Sequence, residues 1–215
     1  MNKQELLKYI ASTAYDVGFG AKKHFATFDF IEKGPGWLGF LSLVGGIYGL
    51  FVPFMSVTHV SAAFVVFGVV SLYIGMYGSE KQRYEDAGKA LTEMFHTLHV
   101  LYGTVKSLPD TADVSVKVLE AQTIRTNALA KGLSKQMLLA DWYAHYKFFW
   151  QAQIGWIEEQ RPFNFFRDKV PLSAYLTLGV TAVAAVTMLM RGAQISDDTA
   201  ATKPVEPAAS AGAPK

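Results

Sequence analysis

His96 and His99 are three residues apart, so on a helix they share one face, and two imidazoles at that interval can hold a metal ion. Glu93 is the nearest carboxylate and no third histidine lies close in sequence, which makes a solvated helix face the default reading. Glu158 and Glu159 form a carboxylate pair, but adjacent residues diverge on a helix, so a helix-end charge run is favoured over acid–base chemistry. Gly45 and Gly49, echoed by Ser71 and Gly75, make small-xxx-small steps of the kind that let membrane helices pack or oligomerise. Lys22, Lys23, Lys81 and Arg83 could meet an anionic ligand or the headgroups of acidic lipids. The chain has no cysteine, hence no disulfide and no thiolate zinc site. It has no phosphate loop and no nucleophile elbow either. No enzyme, catalytic residue, cofactor or bound metal is expected.

Helices must position these residues, because no segment alternates like a strand over any length. The governing feature is a stretch without Asp, Glu, Lys or Arg, residues 34–79, in which His59 is the one side chain that titrates near neutrality. A bilayer core of roughly 30 Å takes about 20 apolar helical residues per crossing, so the stretch can cross twice. It divides into 37–54 and 57–77 around Pro53 and the polar cluster Ser56, Thr58 and His59, and reads as a membrane hairpin. A second uncharged run, 170–190, passes the same length test for a third, C-terminal span; its alternative is a buried or membrane-surface helix. Composition agrees with a few spans plus an aqueous part: 51% hydrophobic and 18% charged, with mean hydropathy +0.18. A net charge of +2 gives no reason to expect nucleic acid as partner. The opening Met-Asn-Lys-Gln-Glu-Leu-Leu lacks the apolar core of a signal peptide.

The arm 1–36 predicts an amphipathic helix, with Leu7, Ile10, Ala14, Val17, Ala21, Phe25 and Phe28 on one stripe. Lys22, Lys23 and His24 fall on or beside its polar face, and Gly34-Pro35-Gly36 should end it. Residues 78–169 predict a bundle of long amphipathic helices. The first continues from the second span and buries Tyr84, Ala87, Leu91, Phe95, Leu98, Leu101, Tyr102 and Val105. It ends at Leu108-Pro109-Asp110, and Asp110 or Thr111 can cap the next helix, about 112–134. A third stripe follows Leu138, Leu139, Trp142, Tyr146, Phe149, Trp150, Trp156 and Ile157. Its many aromatics suit a segment packed partly in the bundle and partly in the membrane interface. The fold class is all-α: a membrane hairpin, a third C-terminal span and a cytoplasmic helical bundle. Basic residues crowd the arm and 78–169 but are absent from the hairpin loop, which puts the N-terminus and the bundle in the cytoplasm and the loop and tail outside. The tail 191–215, rich in Ala, Pro, Thr and Ser, reads as disordered.

The segment Ala21-Lys22-Lys23-His24-Phe25 leads into a tight two-span hairpin, and the second span continues through Tyr77-Gly78-Ser79-Glu80-Lys81-Gln82-Arg83-Tyr84 into a long polar helix. This layout, over about 14–166, resembles the SLATT proteins, two-transmembrane effectors associated with bacterial nucleotide-signalling defence systems. The resemblance implies an inner-membrane effector of antiviral defence that forms pores or disrupts the membrane when a nucleotide second messenger or another infection signal arrives. Its implied partners are membrane lipids, further copies of itself, and a nucleotide or a signalling protein from a neighbouring gene. It supplies no catalytic residues. The third span and outside tail go beyond the two-span core. A membrane-anchored scaffold that recruits a partner through the bundle is the rival class. A constitutive transporter fits less well, since coupling ions usually need polar ligands at mid-membrane.

Overall fold

The computed structural model describes residues 1–52 and 57–201, and every regular element among them is helical. Helix α1 (Lys3–Phe51) starts at a capping box: Asn2 Oδ1 accepts the Glu5 N–H at 2.8 Å, and the Glu5 carboxylate accepts the Asn2 N–H at 2.9 Å. The expected stop at Gly34-Pro35-Gly36 does not occur, and the helix runs on through Pro35 for 49 residues in all. Pro35 costs one N–H and crowds the carbonyl of Ile31. In apolar surroundings, however, breaking the helix would strip more backbone groups of partners. Gly34 serves here as a point of close approach: a Cβ on it would sit 2.7 Å from Ile74 Cδ1.

Ile74 belongs to α2 (Val57–Gly75), which packs antiparallel on the second half of α1. A Cβ on Gly46 would meet Phe64 at 3.7 Å, and one on Gly49 would meet Val60 at 3.2 Å. The outer faces of this apolar hairpin are uncovered, with Trp37 63%, Leu50 82% and Leu72 75% exposed, a contiguous apolar surface that water does not tolerate. Two helical stretches, Lys3–Phe51 and Val60–Ser107, are long and apolar enough to cross a membrane. The expected hairpin turn at Pro53 and Ser56 lies outside the described residues.

A short 3₁₀ turn, Gly78–Glu80, joins α2 to α3 (Lys81–Ser107); α4 (Ser115–Lys131), α5 (Ala140–Tyr146), α6 (Gly155–Glu158) and α7 (Phe165–Asp168) follow. The first half of α1 lies along α3. Leu7, Ile10, Ala14, Val17 and Ala21 are buried against Leu91, Leu98, Leu101, Tyr102 and Val105, as the two stripes predict, and Leu6 joins them. Ala121 and Ala128 of α4 join this core, with Phe148, Phe149, Ile154 and Ile157 from the later segment. A second cluster forms where the hairpin leaves the bundle: Ala26, Ile31, Ile74, Tyr77, Tyr84, Met137, Ala140 and Ala144.

Several expectations need correction. Asp113, not Asp110 or Thr111, serves the start of α4, accepting the Ser115 N–H at 2.9 Å, while Asp110 pairs with Lys3 at 3.0 Å. The third stripe is not one helix. Leu139 takes the left-handed conformation (φ 68°) before α5, and a π-helical turn over Lys147–Gln151 ends in extended backbone at Ala152. Those irregularities rotate the register, so Leu138, Leu139, Tyr146 and Trp150 are exposed while Met137, Ala140, Ala144 and Phe148 are buried. Helix α8 (Leu172–Ala201) belongs to a separate unit that begins at Pro171. It continues helical through residues 191–201, where disorder was expected; alanines and a helix already nucleated upstream extend it at little cost. Its apolar part, Leu172–Thr187, is shorter than the two candidate spans. Thr177, Thr181 and Thr187 donate their hydroxyls to carbonyls one turn back at 2.7–2.9 Å, which suits an apolar environment. Residues 202–215 of the expected tail lie outside the described residues.

Among the described residues three buried side-chain atoms make no hydrogen bond: Thr13 Oγ1, His145 Nδ1 and Trp156 Nε1. Thr13 is 1% exposed, and its hydroxyl makes no hydrogen bond. Replacing it with the isosteric valine removes an unmet polar group, so Thr13→Val is expected to stabilise the bundle by about 1 kcal/mol, read as a raised melting temperature in detergent.

Candidate functional site

The four glycine and serine positions do not act together. Gly49 packs against Val60 of its own hairpin, whereas a Cβ on Gly45 or Gly75 would meet nothing, and Ser71 is exposed. The crossing of α1 and α2 rests instead on Gly34, Gly46 and Gly49. Spacing alone does not separate these roles, because the i,i+4 step at Gly45 and Gly49 straddles the edge of the contact.

Three of the four basic candidates are neutralised within the chain. Lys23 pairs with Asp141 at 2.7 Å, Lys81 at the start of α3 pairs with Glu32 of α1, and Arg83 pairs with Glu80 one turn back. Lys22 makes no ion pair among the described residues. It lines a cleft of about 380 Å³ with Gly18 and Ala21 of α1, Thr92, Phe95, His96 and His99 of α3, and Phe148, Gln151, Ala152 and Gln153. Burial, reinforced by the nearby Lys147, holds the Lys22 ammonium below the usual lysine range. Lys147 itself is held by Asp29. Burial would raise the Asp29 carboxyl, but hydrogen bonds from Lys147 and Lys33 outweigh it and keep the group below the usual carboxylate range.

The two histidines thus share a cleft and a helix face. His99 stacks flat on Trp156, ring centroids 4.7 Å apart, and His96 lies edge-on to Phe95. No three histidine, cysteine or carboxylate side chains converge among the described residues. Glu158 and Glu159 take separate partners: Glu158 pairs with Lys169 at 3.0 Å, while Glu159 accepts from Lys106 at 2.6 Å and Tyr102 at 2.9 Å.

A second site went unread in the sequence. The loop 132–139 between α4 and α5 is fastened by side chains from α1, α2 and α3. His24, placed on the polar face by its neighbours in sequence, is in fact buried, 4% exposed. Its Nδ1 donates to the Gly20 carbonyl at 2.6 Å and its Nε2 accepts the Leu133 N–H at 2.9 Å, which fixes a neutral imidazole. Thr27 donates to Gln136 Oε1 at 2.8 Å. Tyr84 donates to the Lys135 carbonyl at 2.6 Å, and Tyr77 to the Gln136 carbonyl at 3.2 Å. Tyr73 accepts the Leu138 N–H at 2.9 Å. The next residue, Leu139, holds a left-handed backbone that costs a bulky residue about 1–3 kcal/mol, so the fastened loop carries strain at its end. The signal available in sequence is the spacing of Tyr73, Tyr77 and Tyr84, which puts hydroxyls at the apolar-to-polar boundary.

Two apolar helices packed as a hairpin and continued into a helical bundle define a two-helix membrane-type architecture. A family model described as the SMODS and SLOG-associating 2TM effector domain 6 matches residues 1–178, and the chain belongs to this SLATT family. The match takes in the start of α1 and the first turns of α8, beyond the 14–166 of the sequence resemblance. No curated protein and no solved structure matches the chain.

Proposed function

We propose that the chain is a membrane effector of a bacterial conflict system, held quiet until a signal arrives and then permeabilising the inner membrane. The observation that carries this reading, beside family membership, is the fastening of loop 132–139. Its bonds come from both helices of the apolar hairpin, and α1 is unbroken from the bundle core to Phe51. A signal that releases the loop would free Tyr73 and Tyr77 at the end of α2 and change how the hairpin sits. A ligand shifts such an equilibrium only by preferring one state, so the signal must bind the released and fastened bundles unequally. A nucleotide second messenger, or a protein encoded nearby, is the proposed signal.

The distribution of basic residues supports a topology with the N-terminus and the bundle in the cytoplasm and the hairpin loop outside. In the same topology α8 is a third crossing and its end lies outside. The reading needs no catalytic residue, so the protein acts without enzymatic turnover. Further copies of the chain would associate through the open surface of the hairpin helices, on α1 at Gly45 and on α2 at Ser71 and Gly75. Gly45→Leu is the cleanest test, since its side chain would enter open space and spare the hairpin's own packing. We expect it to abolish growth arrest and depolarisation on induced expression while membrane insertion is unchanged. Undiminished depolarisation by Gly45→Leu would exclude that surface from assembly. In the rival scaffold reading, neither the variant nor the wild type changes the membrane potential.

A further inference from the structure

The cleft around Lys22 is built from three distant parts of the chain, and its inventory is unusual for an incidental surface hollow. Gly18, Ala21 and Lys22 come from one face of α1, and Thr92, Phe95, His96 and His99 from the facing side of α3. The third wall, Phe148 and Gln151 within the π-helical turn and Ala152 and Gln153 just after it, sits at the kind of helix defect often found at functional sites. Gly18 forms the floor because nothing larger fits: a Cβ there would lie 2.7–2.9 Å from the rings of Phe95 and Phe148. The wall residues are braced from behind, His99 by its stack on Trp156 and Phe148 by edge contacts to Tyr15 and Phe19.

The polar complement points to one ligand chemistry. Lys22 is a partly buried ammonium with no carboxylate partner among the described residues, a costly arrangement that an anion relieves. His96 and His99 add ring N–H donors, and a phosphate can use donors from several directions at once. Gln151 and Gln153 bring exposed side-chain amides to the cleft, and such amides pair with the edge of a heteroaromatic ring. Phe95, which is partly exposed, offers apolar ring surface to its flat side. A volume of about 380 Å³ lies at the small end of ligand pockets, room for one nucleotide unit rather than several.

We propose that this cleft binds a nucleoside monophosphate or a single nucleotide unit of a larger molecule, with Lys22, His96 and His99 on the phosphate and Gln151 and Gln153 on the base. The proposal deepens the signal-activated reading above and rests on it only for its consequence; binding is testable without any toxicity. A ligand here would touch α1 at Gly18–Lys22, within two turns of His24, and so could bias the fastening of the loop.

The test uses the full-length protein in detergent, with melting temperature as readout. AMP, GMP, CMP and UMP, each at about 5 mM, are compared with inorganic phosphate and with short-chain phosphatidic acid. We expect at least one nucleotide to raise the melting temperature by several degrees, as a ligand in large excess over its dissociation constant does. Lys22→Gln should weaken that nucleotide at least about tenfold, the loss typical of one charge-assisted contact. Lys23→Gln should leave it unchanged, because Lys23 is committed to Asp141. No shift with any nucleotide, or equal binding by Lys22→Gln, overturns the proposal. An equal shift with phosphate or with phosphatidic acid also overturns it, leaving an anion or lipid-headgroup site without base recognition. Nucleotide binding combined with an unchanged membrane potential in cells would uphold the site and refute the pore-forming reading alone.

Discussion

Phe148→Ala is expected to destabilise the bundle by about 3–5 kcal/mol, the range for emptying a fully buried aromatic site. Phe148 is 1% exposed and meets Tyr15 edge-on at 5.4 Å, Phe19 at 6.0 Å and Phe149 at 5.3 Å between ring centroids. Few neighbours can collapse into the gap. Tyr15 is already tied to Phe163 and lies under the Arg161 guanidinium at 4.1 Å, and Phe149 is pinned by Phe163. The substitution should therefore lower the melting temperature by well over the few degrees that 1 kcal/mol corresponds to. A loss no larger than that of an exposed control such as Trp150→Ala would mean that the aromatic cluster does not anchor the 147–157 segment.

His24→Ala is expected to release the loop at a cost of about 1–2 kcal/mol, because it strips the half-buried Leu133 N–H of its acceptor and loses the neighbouring contact with Gln136. Amide exchange at Leu133 and Gln136 should accelerate while exchange in the middle of α3 stays slow. Acid should act in the same direction. Burial, partly offset by the bond to Gly20, holds the His24 imidazole below its ordinary value. The neutral form is the one the folded loop needs. Its contribution is therefore complete above the unfolded value of about 6.5 and is lost as pH falls through the lower folded value. Loop protection, taken relative to the intrinsic exchange rate at each pH, should fall as pH drops below about 6.5 in the wild type and be flat in His24→Ala. An identical pH response in both would assign the effect to another group, with Asp29 and its two lysines the next to test.

The parts legible in sequence were those with a long, uninterrupted period. The stripes of α1 and α3 each repeat over many turns, and their buried residues follow the helical period closely. The uncharged stretch 34–79 falls largely within two helical stretches long and apolar enough to cross a membrane, and the layout around Ala21–Phe25 led to the right family. What was misread sits at local exceptions. Pro35 looked like a stop because a single chain cannot reveal that α2 packs on Gly34. Residues 138–157 looked like one stripe because aromatics on every side satisfy any register, and neither the left-handed Leu139 nor the π-helical turn has a marker in the sequence. The two sites were hidden for a related reason. His24 and Leu133 are 109 residues apart, and the walls of the Lys22 cleft come from three segments. The candidate lysines could be identified by type, but only their carboxylate partners, Asp141, Glu32 and Glu80, separate Lys22 from the rest.

The central claim is that the fastened loop restrains the hairpin. Tyr77→Phe combined with Tyr84→Phe tests it with the least disturbance, since both rings stay in the core and only the hydroxyls bonded to the Gln136 and Lys135 carbonyls are lost. The measurement is membrane potential, by voltage-sensitive dye, in bacteria expressing wild type or the double variant at matched membrane levels. Release of the restraint predicts earlier and deeper depolarisation by the variant. Equal potentials in the two strains would contradict it and leave the loop as a structural joint with no part in control.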